Sequence, residues 1–191
     1  MTFRRVVASN GPEDQDGENS DADEHVESVQ AGQRIVEAIE PRCMAALGLK
    51  MLELSAERSL GTLTYFVSVE HTRFARESIG ETALIATVRA CVVDADADRA
   101  RAKARGYASR YLGLSNYTNN LRKFGFTDED IGDGGSDRLI DAVIPHGTGE
   151  EIAAVAHQHL NAGANHVCLQ PIGVNGVPRE EWTALSAALV R

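Results

Sequence analysis

Residues 41–191 predict an α/β fold of about four parallel βα units, half of an eight-stranded α/β barrel, behind an acidic N-terminal segment. Short runs rich in β-branched and aromatic residues alternate with stretches of helical periodicity, and glycines or capping residues mark the junctions. Each helical stretch is also long enough to carry the crossover that parallel neighbours require.

The first unit begins after Pro41, where Cys43 to Leu47 forms an apolar strand, Gly48 the turn, and Lys50 to Arg58 a helix. Thr62 to Val67 has the Thr, Tyr and Phe content of a strand, and Glu70 to Ser78 reads as a helix closed by Gly80. Leu84 to Val93 is a long β-branched strand, with Asp94 placed to cap a helix that runs to Leu112 and stops at Gly113. Helical pieces near Tyr117 to Phe124 and Asp137 to Ile144 flank the glycine-rich loop 132–136 and read as an insertion. Thr148 and Glu151 have the spacing of a capping box, which starts a helix with Ile152, Val155, Ala156 and Leu160 on one face. His166 to Gln170 is the fourth strand, and Pro178 opens a last helix carrying Trp182, Leu185 and Leu189. A sheet of this size is open at both sides, so a second copy or another chain is expected to cover its edges at Cys43 to Leu47 and His166 to Gln170.

Residues 1–40 form a separate segment with ten acidic and three basic side chains, a net −7. From Ser9 to Glu27 large apolar groups are almost absent, which predicts disorder, and Val26 to Ile39 has the loose spacing of one short helix. The remaining residues carry only −2 of the total −9, and the pI is near 5.1. Nucleic acid is therefore excluded as a partner, because a polyanion is bound by clustered Lys and Arg. No apolar run reaches the roughly 18 residues that span a bilayer, and the start lacks the apolar stretch of a signal peptide. Cys43, Cys91 and Cys168 are odd in number, widely spaced and each in an apolar run, as expected of buried free thiols in a cytoplasmic protein.

Gly48 stands where a strand hands over to a helix, so free N–H groups and the positive helix end would face an anion there, with Lys50 adding charge. The alternative is a plain tight turn. Groups that follow strand ends face the mouth of an α/β barrel, which makes His71 a candidate donor to a small-molecule substrate; a surface histidine at a helix start is the other reading. Arg138 offers a donor fork for a substrate or cofactor anion, against a local ion pair with Asp141 three residues on. The basic run of Arg99, Arg101, Lys103, Arg105 and Arg110 follows three aspartates and reads as a solvated face. His157, His159 and His166 lack the spacing and companions of a metal site, so no metal is expected. Nucleophile elbow, Walker loop and dinucleotide fingerprint are all absent from the sequence.

The run from Pro41 to Arg58 (PRCMAALGLKMLELSAER), followed by Tyr65 to Thr72 (YFVSVEHT), resembles the luciferase-like oxidoreductases that use coenzyme F420. Tyr107 to Asn120, Phe124 to Ala142 and Gly163 to Pro171 resemble the same family in the expected order, so the resemblance covers about Pro41 to the C-terminus. It implies an α/β barrel whose cofactor lies at the C-terminal ends of the strands. Gly48, Leu49, Lys50 and Met51 would then hold the cofactor phosphate, with Tyr65 at the strand end beside the ring. The implied activity is hydride transfer from reduced F420 to an organic substrate.

Several residues depart from the family pattern. Leu49 stands in place of a proline, Ser59-Leu60-Gly61 in place of Ala-Asp-Gly, and Thr64 and Ser68 in place of prolines near the ring. Residues 1–40 do not resemble the first four βα units, which points to a truncated relative. A non-catalytic half-barrel that assembles with another chain, and an FMN-dependent monooxygenase of the same superfamily, are the competing readings.

Overall fold

The computed structural model describes residues 42–189. The acidic segment and the short helix expected before Pro41 lie outside the described residues.

Five parallel strands and eight helices follow one another: β1 (Met44–Ala45), α1 (Leu49–Arg58), β2 (Gly61–Tyr65), α2 (Val69–Ile79), β3 (Leu84–Val93), α3 (Ala97–Leu112), α4 (Ser115–Lys123), α5 (Asp128–Ile131), α6 (Asp137–Val143), β4 (His146–Gly147), α7 (Gly149–Asn161), β5 (His166–Pro171) and α8 (Arg179–Leu189). The α/β class with a parallel sheet is the one the sequence predicts, and the four strands expected are all present. Strand β4 and helix α5 are additions. Two residues give β4 no detectable alternation, and α5 is a single turn held by a capping box between Thr127 and Asp130.

Local chemistry sets most boundaries. The Thr148–Glu151 box starts α7, with the Thr148 amide donating to Glu151 at 2.7 Å and the Glu151 amide to Thr148 at 3.3 Å. Helix α3 is capped by Asp96, which accepts from the Arg99 amide at 3.0 Å, and not by Asp94 as expected. Asp94 instead pairs its carboxylate with Arg99 and Lys103. Gly61 has a φ of 143° and lies so close to β3 that a side chain would overlap the Leu84 carbonyl, so only glycine can begin β2 in this register.

One arrangement departs from the consecutive strand order of a barrel sector. Strand β3 pairs with β2 from Leu84 to Val88 and with β5 from Ala86 to Cys91, while β4 pairs only with Val92 and Val93. Backbone polar groups of successive strand residues point to opposite edges. The amides of Leu84, Val92 and Asp94 donate to β2 or β4, whereas the carbonyls of Ile85 and Cys91 accept from the β5 side. Strand β4 therefore lies on the same edge of β3 as β2, beyond the end of β2. The chain leaves that edge at Phe66, whose φ of 53° turns it away and opens a fork.

Right-handed crossovers explain where the helices go. The steps β1 to β2, β2 to β3 and β4 to β5 run in one direction, and their helices share one face of the sheet: Leu52 and Ala75 pack on Ile85, Ile152 and Leu185 on Cys91. The step from β3 back to β4 runs the other way, so α3, α4 and α6 must cross on the opposite face. There Ala100, Ala104 and Ala108 of α3 join Ala90, Val92, Leu121 and Leu139 in the largest apolar cluster.

Candidate functional site

A cavity of about 300 Å³ lies at the C-terminal ends of β1 and β2, bounded by residues 45–48, Met51, Leu63, Tyr65, Asn116 and Tyr117. Its floor is the turn at Gly48. Gly48 precedes α1 with φ −89° and ψ 155°, and its carbonyl accepts from the amides of Met51 at 3.1 Å and Leu52 at 3.0 Å. The amides of Leu49 and Lys50 come before those bonds and have no acceptor within the helix, as the first turn of any helix requires. No side chain caps this end and no acidic residue stands in its first turn, so neither the cap nor the first turn compensates the positive end of the helix dipole.

Gly48 does not serve a tight turn. Its φ is ordinary, and an added Cβ would meet nothing within 4 Å. Its missing side chain leaves an open approach to the helix end. Leu49 and Met51 are exposed beside it, at 43% and 42% of their surface.

Tyr65 closes the cavity on the β2 side. Its hydroxyl bonds that of Tyr107 and donates to Gln170 Oε1 at 3.0 Å, and its ring lies 5.3 Å from that of Tyr111. Tyr111 in turn stacks on Phe66 at 4.9 Å and meets Tyr117 edge-on at 5.1 Å. Burial, then the adjoining Tyr107 and Tyr111 hydroxyls, push the Tyr65 phenol far above its usual range, so it remains a neutral hydrogen-bonding group. Asn116 and Tyr117 were missed as site residues because α4 reads as an insertion. The SNYTNN segment offered polar and aromatic side chains, but only the return of α4 over the sheet puts them against Gly48.

His71 and Arg138 are not brought to this cavity. His71 is fully buried, and its Nε2–H donates to the Leu47 carbonyl at 2.9 Å, from behind the turn. Burial, and secondarily Lys123, lower its pKa although the Leu47 bond opposes them, so the ring is neutral and fixes the backbone that leads into Gly48. Neither a substrate donor nor a surface histidine describes it. Arg138 is held by Asp130, donates to the Gly125 carbonyl at 2.9 Å and lies 4.6 Å from the centre of the Phe126 ring. The ion pair expected with Asp141 is replaced, since Asp141 receives Arg101 at 2.8 Å. Loop 132–136 brings Arg138 back over α5, a placement invisible in local spacing.

Among the described residues, no three His, Cys, Asp or Glu side chains converge as a metal site requires, and no helix is long and apolar enough to cross a membrane.

No family profile matches the chain, and no curated protein does. Two solved structures are similar in fold. One is an F420-dependent secondary alcohol dehydrogenase in complex with an F420-acetone adduct, at 17% identity and TM-score 0.49 over 70% of this chain and 44% of that one. The other is the coenzyme F420-dependent tetrahydromethanopterin reductase from Methanopyrus kandleri, at 18% identity and TM-score 0.51 over 78% of this chain and 49% of the reductase. The chain thus spans about half the length of the structures it matches, and the likeness to the reductase shows a shared α/β fold.

Proposed function

We propose that this chain is an F420-type oxidoreductase subunit in which the Gly48 turn seats the phosphate of the deazaflavin cofactor. The observation that carries this reading is the uncapped, uncompensated start of α1 opening into a cavity at the strand ends, where the sequence resemblance independently places the phosphate. The amides of Leu49 and Lys50 donate to the anion, Gly48 admits it, and Met51 and Leu63 give the adjoining wall an apolar surface. Neutral Tyr65 stands at the end where the ring would lie, a hydrogen-bonding group that adds no negative charge against a hydride donor. When bound, reduced F420 supplies the hydride, and the protein supplies anchoring, orientation and exclusion of water. His71 acts indirectly by holding the Leu47 carbonyl.

A second reading is favoured by the open sheet. Among the described residues strands β1 and β5 each pair on one side only, and Leu63, on the same sheet face as Ala86, is 41% exposed. In this reading a second copy or another chain covers those edges and completes the ring-binding wall.

Fluorescence titration of the full chain with F420 and, in parallel, FMN tests the first reading. Saturable binding of F420, tighter than FMN and weakened by Gly48→Asp, is expected. No F420 binding by folded protein at high micromolar concentration would refute it. Light scattering tests the second, which a well-folded, non-associating monomer would contradict.

A further inference from the structure

The side of the sheet that packs against α2 and α7 contains polar groups the proposed activity does not use. Arg89 of β3 is 1% exposed, and its partners among the described residues are two backbone carbonyls. One is that of Val67, just past the end of β2, and the other that of Ala142, just before β4, at 3.1 Å. The guanidinium thus spans the fork that Phe66 opens, and no carboxylate is among its partners. Among the described residues its Nε has no partner.

Orphan groups accompany it. The hydroxyls of Thr64, Ser68 and Thr87 and the His159 Nε2 are buried without hydrogen bonds. Thr64 and Thr87 are directly paired across β2 and β3, on the face to which Arg89 also belongs. Ser68 follows the Val67 carbonyl that Arg89 holds, and His159 senses the Arg89 charge directly. The His159 Nδ1 lies 2.8 Å from the Thr72 hydroxyl; with that hydroxyl donating, the neutral ring carries its proton on Nε2.

Each of these groups can donate, and one carries a full positive charge. Buried charges in proteins are paired, and each unsatisfied buried polar group costs roughly 1–3 kcal/mol. One small monovalent anion meets both demands. A divalent anion would overcompensate the single guanidinium, and a larger organic acid has no room among side chains that exclude solvent.

We propose that the fork between β2 and β4 binds a chloride-sized monovalent anion, held by Arg89 Nε with His159 Nε2 and the Ser68, Thr64 and Thr87 hydroxyls. The anion lies on the opposite side of the sheet from the Tyr65 cluster and is a structural ligand.

Thermal melts of the full chain in sodium bromide, sodium chloride and sodium gluconate at equal ionic strength are the test. The halides are expected to raise Tm saturably by roughly 3 °C over gluconate, as a ligand specific for the native state does, and Arg89→Met to abolish the difference. Should Arg89→Met fail to fold, a bromide-soaked crystal of the unaltered protein decides, with an anomalous peak expected within hydrogen-bond reach of Arg89 Nε. Identical melts in halide and gluconate, or water in place of bromide beside Nε, would overturn the proposal. Neither outcome bears on F420 binding at Gly48.

Discussion

The two faces of β3 are built on different principles. On one face the strand carries Ala86, Val88, Ala90 and Val92, and the last two pack with Ala100, Ala104 and Ala108 of α3, so small apolar side chains let strand and helix approach closely. Toward α2 and α7 it presents Ile85, Thr87, Arg89, Cys91 and Val93, an apolar layer with a charged group in the middle. The first face tolerates reversal of chain direction because it asks only for volume. The second has to satisfy hydrogen bonds, and Arg89 does so by tying together the ends of β2 and α6. Ala86 and Val88 of the first face are half-buried, whereas Ile85, Thr87, Arg89 and Cys91 of the second are all buried, and there burial has to be reconciled with polar chemistry.

The largest effect should come from breaking that tie. Arg89→Ala leaves the Val67 and Ala142 carbonyls unpaired and a cavity behind, which predicts a loss of about 3 kcal/mol or more in denaturant melts. A change below 1 kcal/mol would mean that Arg89 does not hold the fork.

Acid should separate the faces next. Burial, with Arg89 and His71 nearby, pulls the His159 imidazole down to about 3. The unfolded chain therefore binds the extra proton first, and stability falls as pH drops from about 6.5 toward about 3, by up to about 1.4 kcal/mol per pH unit. His71, lowered for the same principal reason, adds a term of the same sign. Melting curves across that window should show a shallower decline in His159→Gln, and an unchanged slope would remove His159 from the account.

On the apolar face, Ala104→Leu should cost about 1–3 kcal/mol through overpacking between α3 and β3. A neutral or stabilising result would show slack in that layer. The smallest effect belongs to the surface: Arg138→Gln removes an exposed side chain while the Asp130 carboxylate keeps its bonds from Thr127 and Ser136, and Tm should barely move. A drop as large as that of Ala104→Leu would mean that loop 132–136 depends on this pair.

A chemical contrast completes the set. Cys91 lies on the polar face, where burial pushes its thiol up to about 12, whereas Cys43 and Cys168, expected to be buried from their apolar runs, are exposed. A thiol reagent at pH 8 should label Cys43 and Cys168 in the native protein and reach Cys91 only after unfolding. Fast labelling of Cys91 would place the β3 face closer to solvent than its packing implies.

Much of this was legible in the chain itself. The long strand Leu84–Val93, the Thr148–Glu151 box and the Gly48 handover are local patterns, and local patterns survive folding because propensity, capping and period act within a few residues. The fold class followed from their alternation. Less local features were misread: Asp96 and not Asp94 caps α3, Arg138 pairs with Asp130 and not Asp141, and His71 faces inward to Leu47. In each case two partners of similar chemistry were within reach, and only the packed backbone chose between them.

The sequence by itself determined the elements other than β4 and α5, their parallel sense and the glycine turn, because each rests on interactions between residues near one another in the chain. Only the tertiary structure decided that β4 returns to the edge of β2, that Asn116 and Tyr117 line the cavity above Gly48, and that Arg89 spans a fork without a carboxylate. Those placements depend on crossover handedness and on contacts such as that between Arg89 and Ala142, 53 positions apart, which no window of sequence contains.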